Sequence, residues 1–154
     1  MWTMFTRGVL FGATLVLLGA AVSAGESVTY RGTGSYVLTR AILPLANGDA
    51  VMHLIHDTIA TIEPSESGFI YGDCAGLAHL TVEDEYSSQF FCTFTETEGD
   101  SFDLRGRDEK DGATVEIIGG SGKWTGATGA GTWKRKWGQG NRGTFEYEVK
   151  ITTP

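Results

Sequence analysis

Thr144-Phe145-Glu146-Tyr147-Glu148-Val149-Lys150-Ile151 decides the fold class. Phe145, Tyr147, Val149 and Ile151 alternate with Thr144, Glu146, Glu148 and Lys150. An extended chain therefore sends four apolar side chains to a core and four polar ones to water. The same period of two recurs towards the N-terminus. Gly138 to Gly143 reads as a loop, and Lys123 to Trp137 as a glycine-spaced strand whose Lys134 and Lys136 face the acids of the last strand. Gly119-Gly120-Ser121-Gly122 is a turn, Ala113 to Ile118 a strand, Asp108 to Gly112 a charged loop and Ser101 to Arg107 a strand. Gln89 to Glu96 places Phe90, Cys92 and Phe94 on one side. Phe69 to Val82 carries small or apolar residues at Ile70, Gly72, Cys74, Gly76, Ala78, Leu80 and Val82. Pro64 and the polar Ser65-Glu66-Ser67-Gly68 stop the strand before it, Val51 to Glu63. That strand pairs with Thr33 to Leu45 across Asn47-Gly48, a strong hairpin signal. No helical window of useful length follows residue 24. About seven or eight strands on short turns suggest a sandwich or a closed up-and-down barrel. Glycines inside strands favour the barrel, where tight coiling brings backbones close together.

The first 24 residues read as an export signal. Met1 to Arg7 carries one cation, Gly8 to Val22 is uncharged and apolar, and Val22-Ser23-Ala24 is a small-residue cleavage pattern. The apolar run falls short of the roughly twenty residues a membrane-spanning helix requires. No cysteine lies at the cleavage point to accept a lipid, and there is no twin-arginine pair. The expectation is one domain over residues 25–154, soluble, periplasmic or secreted, with no stable membrane insertion after cleavage. Twelve Lys+Arg against nineteen Asp+Glu give a net charge of −7. The leader holds one of those cations and none of the acids, so the remainder is more acidic still. That balance argues against a general nucleic-acid binder.

Export changes what the two cysteines mean. An oxidising compartment favours pairing Cys74 with Cys92. Their even separation allows both side chains onto one face of two adjacent antiparallel strands. Closing a loop of that size contributes about 3 kcal/mol in the chain-entropy model. The alternative is two buried thiols acting as small hydrophobes.

Gly119 to Thr132, GGSGKWTGATGAGT, invites a phosphate-loop reading that fails on spacing. Ile117 stands where the first glycine of that motif belongs, Trp124 follows Lys123 in place of Ser or Thr, and no helix follows to hold an anion. The stretch GGSGKWTGATGAGTW instead resembles the closing motif of allene-oxide-cyclase-like and dirigent-like barrels. Small exported bacterial proteins of that superfamily, with no assigned activity, are the fuller likeness. Cys74-Ala75-Gly76 is similar to their first cysteine segment, and Cys92-Thr93-Phe94-Thr95-Glu96 through Glu98-Gly99-Asp100 to their second. The likeness spans about residues 70 to 151. It implies an all-β, single antiparallel up-and-down, calycin-like barrel of about eight strands, and it carries over no catalytic set.

Candidate site residues follow from the strand pattern. His53 and His56, three apart, point to opposite faces, and His79 faces solvent, so the histidines make no metal site. No cofactor is expected. Arg40 stands in an otherwise apolar strand beside Tyr36, Leu38 and Ile42. A two-residue Asn47-Gly48 turn places Asp57 diagonally across from it, and a longer turn places His56 directly opposite. Inside a barrel, such a group orients a ligand carboxylate or carbonyl; outside, Arg40 lies along the wall. Trp124, Trp133 and Trp137 with Tyr147 either line a cavity or plug the core. The ligand-binding candidates are therefore Arg40, His56, Asp57, Trp124 and Tyr147. Catalytic residues are not assigned. The reading is a non-enzymatic barrel that binds a small hydrophobic molecule or serves an envelope or interaction role. The alternative is a cofactor-independent isomerase or cyclase of the allene-oxide-cyclase type, with Arg40, His56 and Asp57 as polar groups and Trp124 as a wall. Oligomeric state is open.

Overall fold

The structure is a computed structural model that describes residues 25–64, 68–109 and 112–154. The leader, the polar Ser65–Ser67 turn and part of the Asp108–Gly112 loop lie outside the described residues. Eight strands follow one another: β1 (Ser27–Pro44), β2 (Ala50–Thr61), β3 (Phe69–Leu80), β4 (Tyr86–Glu96), β5 (Ser101–Glu109), β6 (Gly112–Gly120), β7 (Thr128–Gln139) and β8 (Arg142–Thr152). Each pairs antiparallel with its sequence neighbours, and β8 returns to β1, closing the barrel. The all-β, eight-stranded, up-and-down expectation holds.

Alternation decides which side chains fill the barrel. Even-numbered residues of β1 to β5 point inward: Tyr36, Leu54, Ala60, Ile70, Phe94, Phe102 and Leu104 are buried. In β6 and β8 the odd-numbered residues do so: Ala113, Ile117, Phe145, Val149 and Ile151. The switch follows a register shift between Asp103 and Leu104, where β5 meets β6. Glycines supply space for the aromatic rings. A Cβ on Gly106 would lie 2.1 Å from the Phe90 ring, and one on Gly72 would lie 2.4 Å from the Phe94 ring. These rings occupy volume that any larger residue would deny them.

Three hairpins share one turn. Leu45–Asp49, Thr81–Glu85 and Glu96–Asp100 each close with an N–H to C=O bond between their ends and a second bond from the fourth residue back to the first. The fourth residue takes positive φ in each: Gly48 at 91°, Asp84 at 60° and Gly99 at 96°. This is the three-residue loop in which a type I turn precedes a left-handed residue. Asn47-Gly48 therefore turns the chain, but not as a two-residue loop.

That turn corrects the expected register. Arg40 pairs with Leu54, while His56 pairs with Leu38 and Asp57 with Val37. Neither His56 nor Asp57 meets Arg40. A second correction concerns Lys123 to Ala127, which is not strand. Gly122–Trp124 forms one turn of 3-10 helix, and β7 begins only at Thr128.

The 3-10 turn closes one end of the barrel. Trp124 is 2% exposed, with its ring 5.4 Å from Tyr30 and 5.3 Å from Phe102, both edge-on. Lys123 reaches the carboxylate of the buried Glu96 beside it. Ile62, Ile70, Ala127 and Ile151 complete this closed end. At the opposite end Leu38, Leu80 and Tyr86 are only partly buried and pack on Met52, Leu54 and Ala78. That end is the mouth.

Candidate functional site

Cys74 and Cys92 are direct cross-strand partners between β3 and β4, and they are joined by a disulfide within the barrel. Both are buried beside Phe90, Phe94, Phe102, Leu104 and Phe145. The enclosed space among these residues amounts to only about 50 Å³. A water molecule takes up about 30 Å³, and pockets for small organic ligands hold about 300–1,000 Å³. The bore is filled with side chains and leaves no room for an organic ligand of that size.

Several polar groups of the interior gather at the mouth. Asp108 is the last inward residue of β5, two positions beyond Gly106, and is 4% exposed. The Trp133 indole and the Tyr86 hydroxyl favour its charged form, and Ser88 favours the charged form of Tyr86. Arg135 of β7 completes the group, its Nη2 3.5 Å from Asp108 Oδ2. Across the bore, the His56 ring stacks on Tyr36, centroids 5.6 Å apart, and Tyr36 leads on to Trp133 at 6.2 Å. Trp133 packs in turn on Phe145 at 4.8 Å and Phe90 at 5.8 Å.

Burial sets the charge states of this cluster. Removal from water pushes the Asp108 carboxyl above the usual carboxylate range, against the lowering effects of Arg135, Trp133 and Tyr86. Burial also lowers the His56 imidazole, helped by the positive Arg135 and opposed by Asp57, so the ring is neutral at neutral pH. A raised carboxyl binds its proton more tightly in the folded protein. Its contribution to stability therefore falls as pH climbs from the unfolded carboxylate range through the folded pKa. His56 acts in the opposite direction, because its lowered pKa costs stability as pH falls below about 6.5. Asp108→Asn is therefore expected to narrow the stability loss above pH 4–5 while leaving the His56 limb in place. Urea denaturation across pH 3 to 8 checks this. A wild-type profile that rises through the carboxylate range, unchanged by Asp108→Asn, would contradict it.

The residues read from sequence fall in several places. His56 and Tyr147 point inward. Tyr147 lines the small enclosed space, and its hydroxyl donates to the Thr61 carbonyl at 2.7 Å. Burial, with Glu63 adding to it, pushes that phenol far up. Arg40 and Asp57 are exposed, and Trp124 plugs the end opposite the mouth. His79 is exposed and bonds Asp49, as its parity indicates. Asp108, Arg135 and Tyr86 were not singled out. The signal for Asp108 lies in continuing the alternation of Phe102, Leu104 and Gly106 by one more step. For Arg135 it lies in Lys134-Arg135-Lys136, where the strand period turns the middle cation inward.

The two aromatic residues that act on the Asp108 carboxyl also border a groove on the rim. Tyr86 and Trp133, with Glu83, Glu85, Arg107 and Lys134, line about 820 Å³ of open space beside the mouth. No group of three or more metal-ligating side chains occurs among the described residues. None of the described helices is long and apolar enough to cross a membrane.

Comparison with solved structures places this architecture. The pterocarpan synthase dirigent protein GePTS1 superposes with a TM-score of 0.64 at 14% identity, covering 96% of this chain and 99% of its own. The fold is a dirigent-like barrel. The pterocarpan synthase dirigent protein PsPTS1 matches with a TM-score of 0.60 at 15% identity, over 84% of this chain and 97% of its own. Neither a protein-family model nor a curated protein matches the chain. A dirigent-like barrel carries no reaction with it at this identity.

Proposed function

We propose that the protein is an exported, non-enzymatic dirigent-like barrel that binds a small, largely apolar molecule at its mouth. One observation carries this reading: the buried Asp108 stands with the half-buried Tyr86 and Trp133 and the solvent-reaching Arg135 at the rim of an interior filled mainly by aromatic and aliphatic side chains. Apolar walls with a few convergent polar groups are the general form of a small-molecule site. The ligand's flat apolar part lies against Trp133 and Tyr86 in the rim groove, and its polar end meets the guanidinium of Arg135. The disulfide is compatible with a compartment outside the cytoplasm.

A second reading is favoured by Asp108 itself. A carboxyl whose pKa burial has raised is suited to donating a proton. This supports a cofactor-independent isomerase or cyclase, in which the mouth holds a flexible substrate in a reactive shape.

Anilinonaphthalene sulfonate, an aromatic anion, tests the site. Saturable enhancement of its fluorescence by the wild-type protein is expected, with affinity reduced about tenfold in Arg135→Met, the loss of about 1.4 kcal/mol of charge-assisted contact. Thermal melts of the variant and of Asp108→Asn show whether the barrel is intact. Equal affinity in wild type and Arg135→Met would remove the mouth from the account.

A further inference from the structure

The barrel closes, but one strand outruns its neighbour. β1 pairs with β8 only as far as Val37, opposite Arg142, while it stays paired with β2 to Pro44. The last bond on the β8 side runs from the Leu38 N–H to the Asn141 carbonyl. Backbone direction alternates along a strand, and three contacts fix its phase. Arg31 and Glu63 exchange backbone bonds, Leu45 N–H bonds Asp49, and Thr33 N–H bonds the Thr61 hydroxyl. All three put odd-numbered groups on the β2 side. No register shift interrupts the pairing of β1. The N–H and C=O of Arg40 and of Ile42 therefore point away from β2, onto an open edge. Pro44, next in phase, has no N–H to leave unpaired, the position at which proline is tolerated in a strand. Every residue from Thr39 to Gly48 is exposed, with Ile42 at 56% and Leu43 at 63%.

We propose that this edge of β1 is a self-association surface, where two copies of the chain pair antiparallel about a two-fold axis through Ala41. In that register Arg40 lies opposite the partner's Ile42. Each such pair exchanges two backbone bonds, so the four open groups of each edge are all satisfied. The pairing ends where the edge ends, at Leu38, already bonded to Asn141, and at Pro44. That self-complementarity is what selects a second copy over a foreign strand, because an isologous contact requires the same patch to fit itself. The side chains agree. Ala41 meets Ala41 on the outer face, Thr39 meets Leu43, and on the inner face Arg40 meets Ile42, with no like charges directly opposite. Although the chain carries −7 overall, Val37 to Leu45 holds Arg40 and no acid. Exposed strand edges pair readily when nothing blunts them. The inference stands apart from the ligand reading, since none of these residues belongs to the mouth cluster.

Sedimentation equilibrium of the wild-type protein, up to about 1 mM to capture a weak contact, reads the association directly. The expected result is a rise from monomer to dimer mass. Ile42→Pro deletes an edge N–H without touching the β2 ladder, and Ile42→Lys sets a cation against the partner's Arg40. Each should weaken the dimer at least tenfold with the melting temperature of the monomer retained. Ile42→Glu, placed opposite that arginine, should keep it. A monomer at every concentration overturns the proposal. So does a dimer whose affinity is unmoved by both Ile42→Pro and Ile42→Lys, since that would place the contact on another surface.

Discussion

Trp124→Ala is expected to lower the unfolding free energy by about 3–5 kcal/mol, the range for emptying a large aromatic site in a packed core. The indole is among the least exposed side chains, and its neighbours are strand residues whose positions the barrel fixes. Tyr30 and Phe102 hold their places by pairing in β1 and β5, so they close over the gap only in part. The same truncation strips cover from the Lys123–Glu96 pair, whose carboxylate lies inside the closed end. Trp124→Phe should cost far less, because the indole N–H bonds no described residue and its loss leaves no partner stranded. Urea denaturation of the two variants checks the order. Equal losses would mean that the closed end depends on something other than the volume of this ring.

Replacing both Cys74 and Cys92 with alanine is expected to cost about 3–5 kcal/mol. Loop closure over the intervening segment accounts for about 3 kcal/mol in the chain-entropy model. The remainder comes from packing, since the two sulfur atoms fill space beside Phe90, Phe94 and Leu104. Because the bond joins direct partners of β3 and β4, it also ties the two strands at their middle. Reduction of the wild-type protein under denaturing conditions, followed by refolding with and without oxidant, separates the loop term from the packing term. A double-alanine variant as stable as the oxidised protein would contradict this account.

Much of the fold can be read from the chain. The alternation Phe145, Tyr147, Val149, Ile151 and the even-numbered run from Ile70 to Leu80 define core faces that the barrel keeps. The parity of Cys74 and Cys92 allows their bond. What escapes is set by single-residue events. Asn47-Gly48 marks a turn, yet a two-residue and a three-residue loop contain the same dipeptide. They differ by one position in register, which sets Leu54 opposite Arg40. At Lys123-Trp124 the glycines that suggest a coiled strand serve a 3-10 turn, so an aromatic that would line a wall instead seals an end. Asp108 and Arg135 are harder. Each sits in a charged run, Asp108-Glu109 and Lys134-Arg135-Lys136, whose composition suggests solvent. Only the strand period shows that one member of each run turns inward, and only the closed sheet brings β5 and β7 together across β6.

On the proposed function, the mouth and not the bore holds a small molecule. Native mass spectrometry of protein purified from its own compartment, wild type beside Arg135→Met, tests this most directly. The expected result is an adduct of a few hundred daltons on the wild-type barrel that is absent from the variant. A bare wild-type mass at every concentration, or an adduct that Arg135→Met retains undiminished, would contradict it.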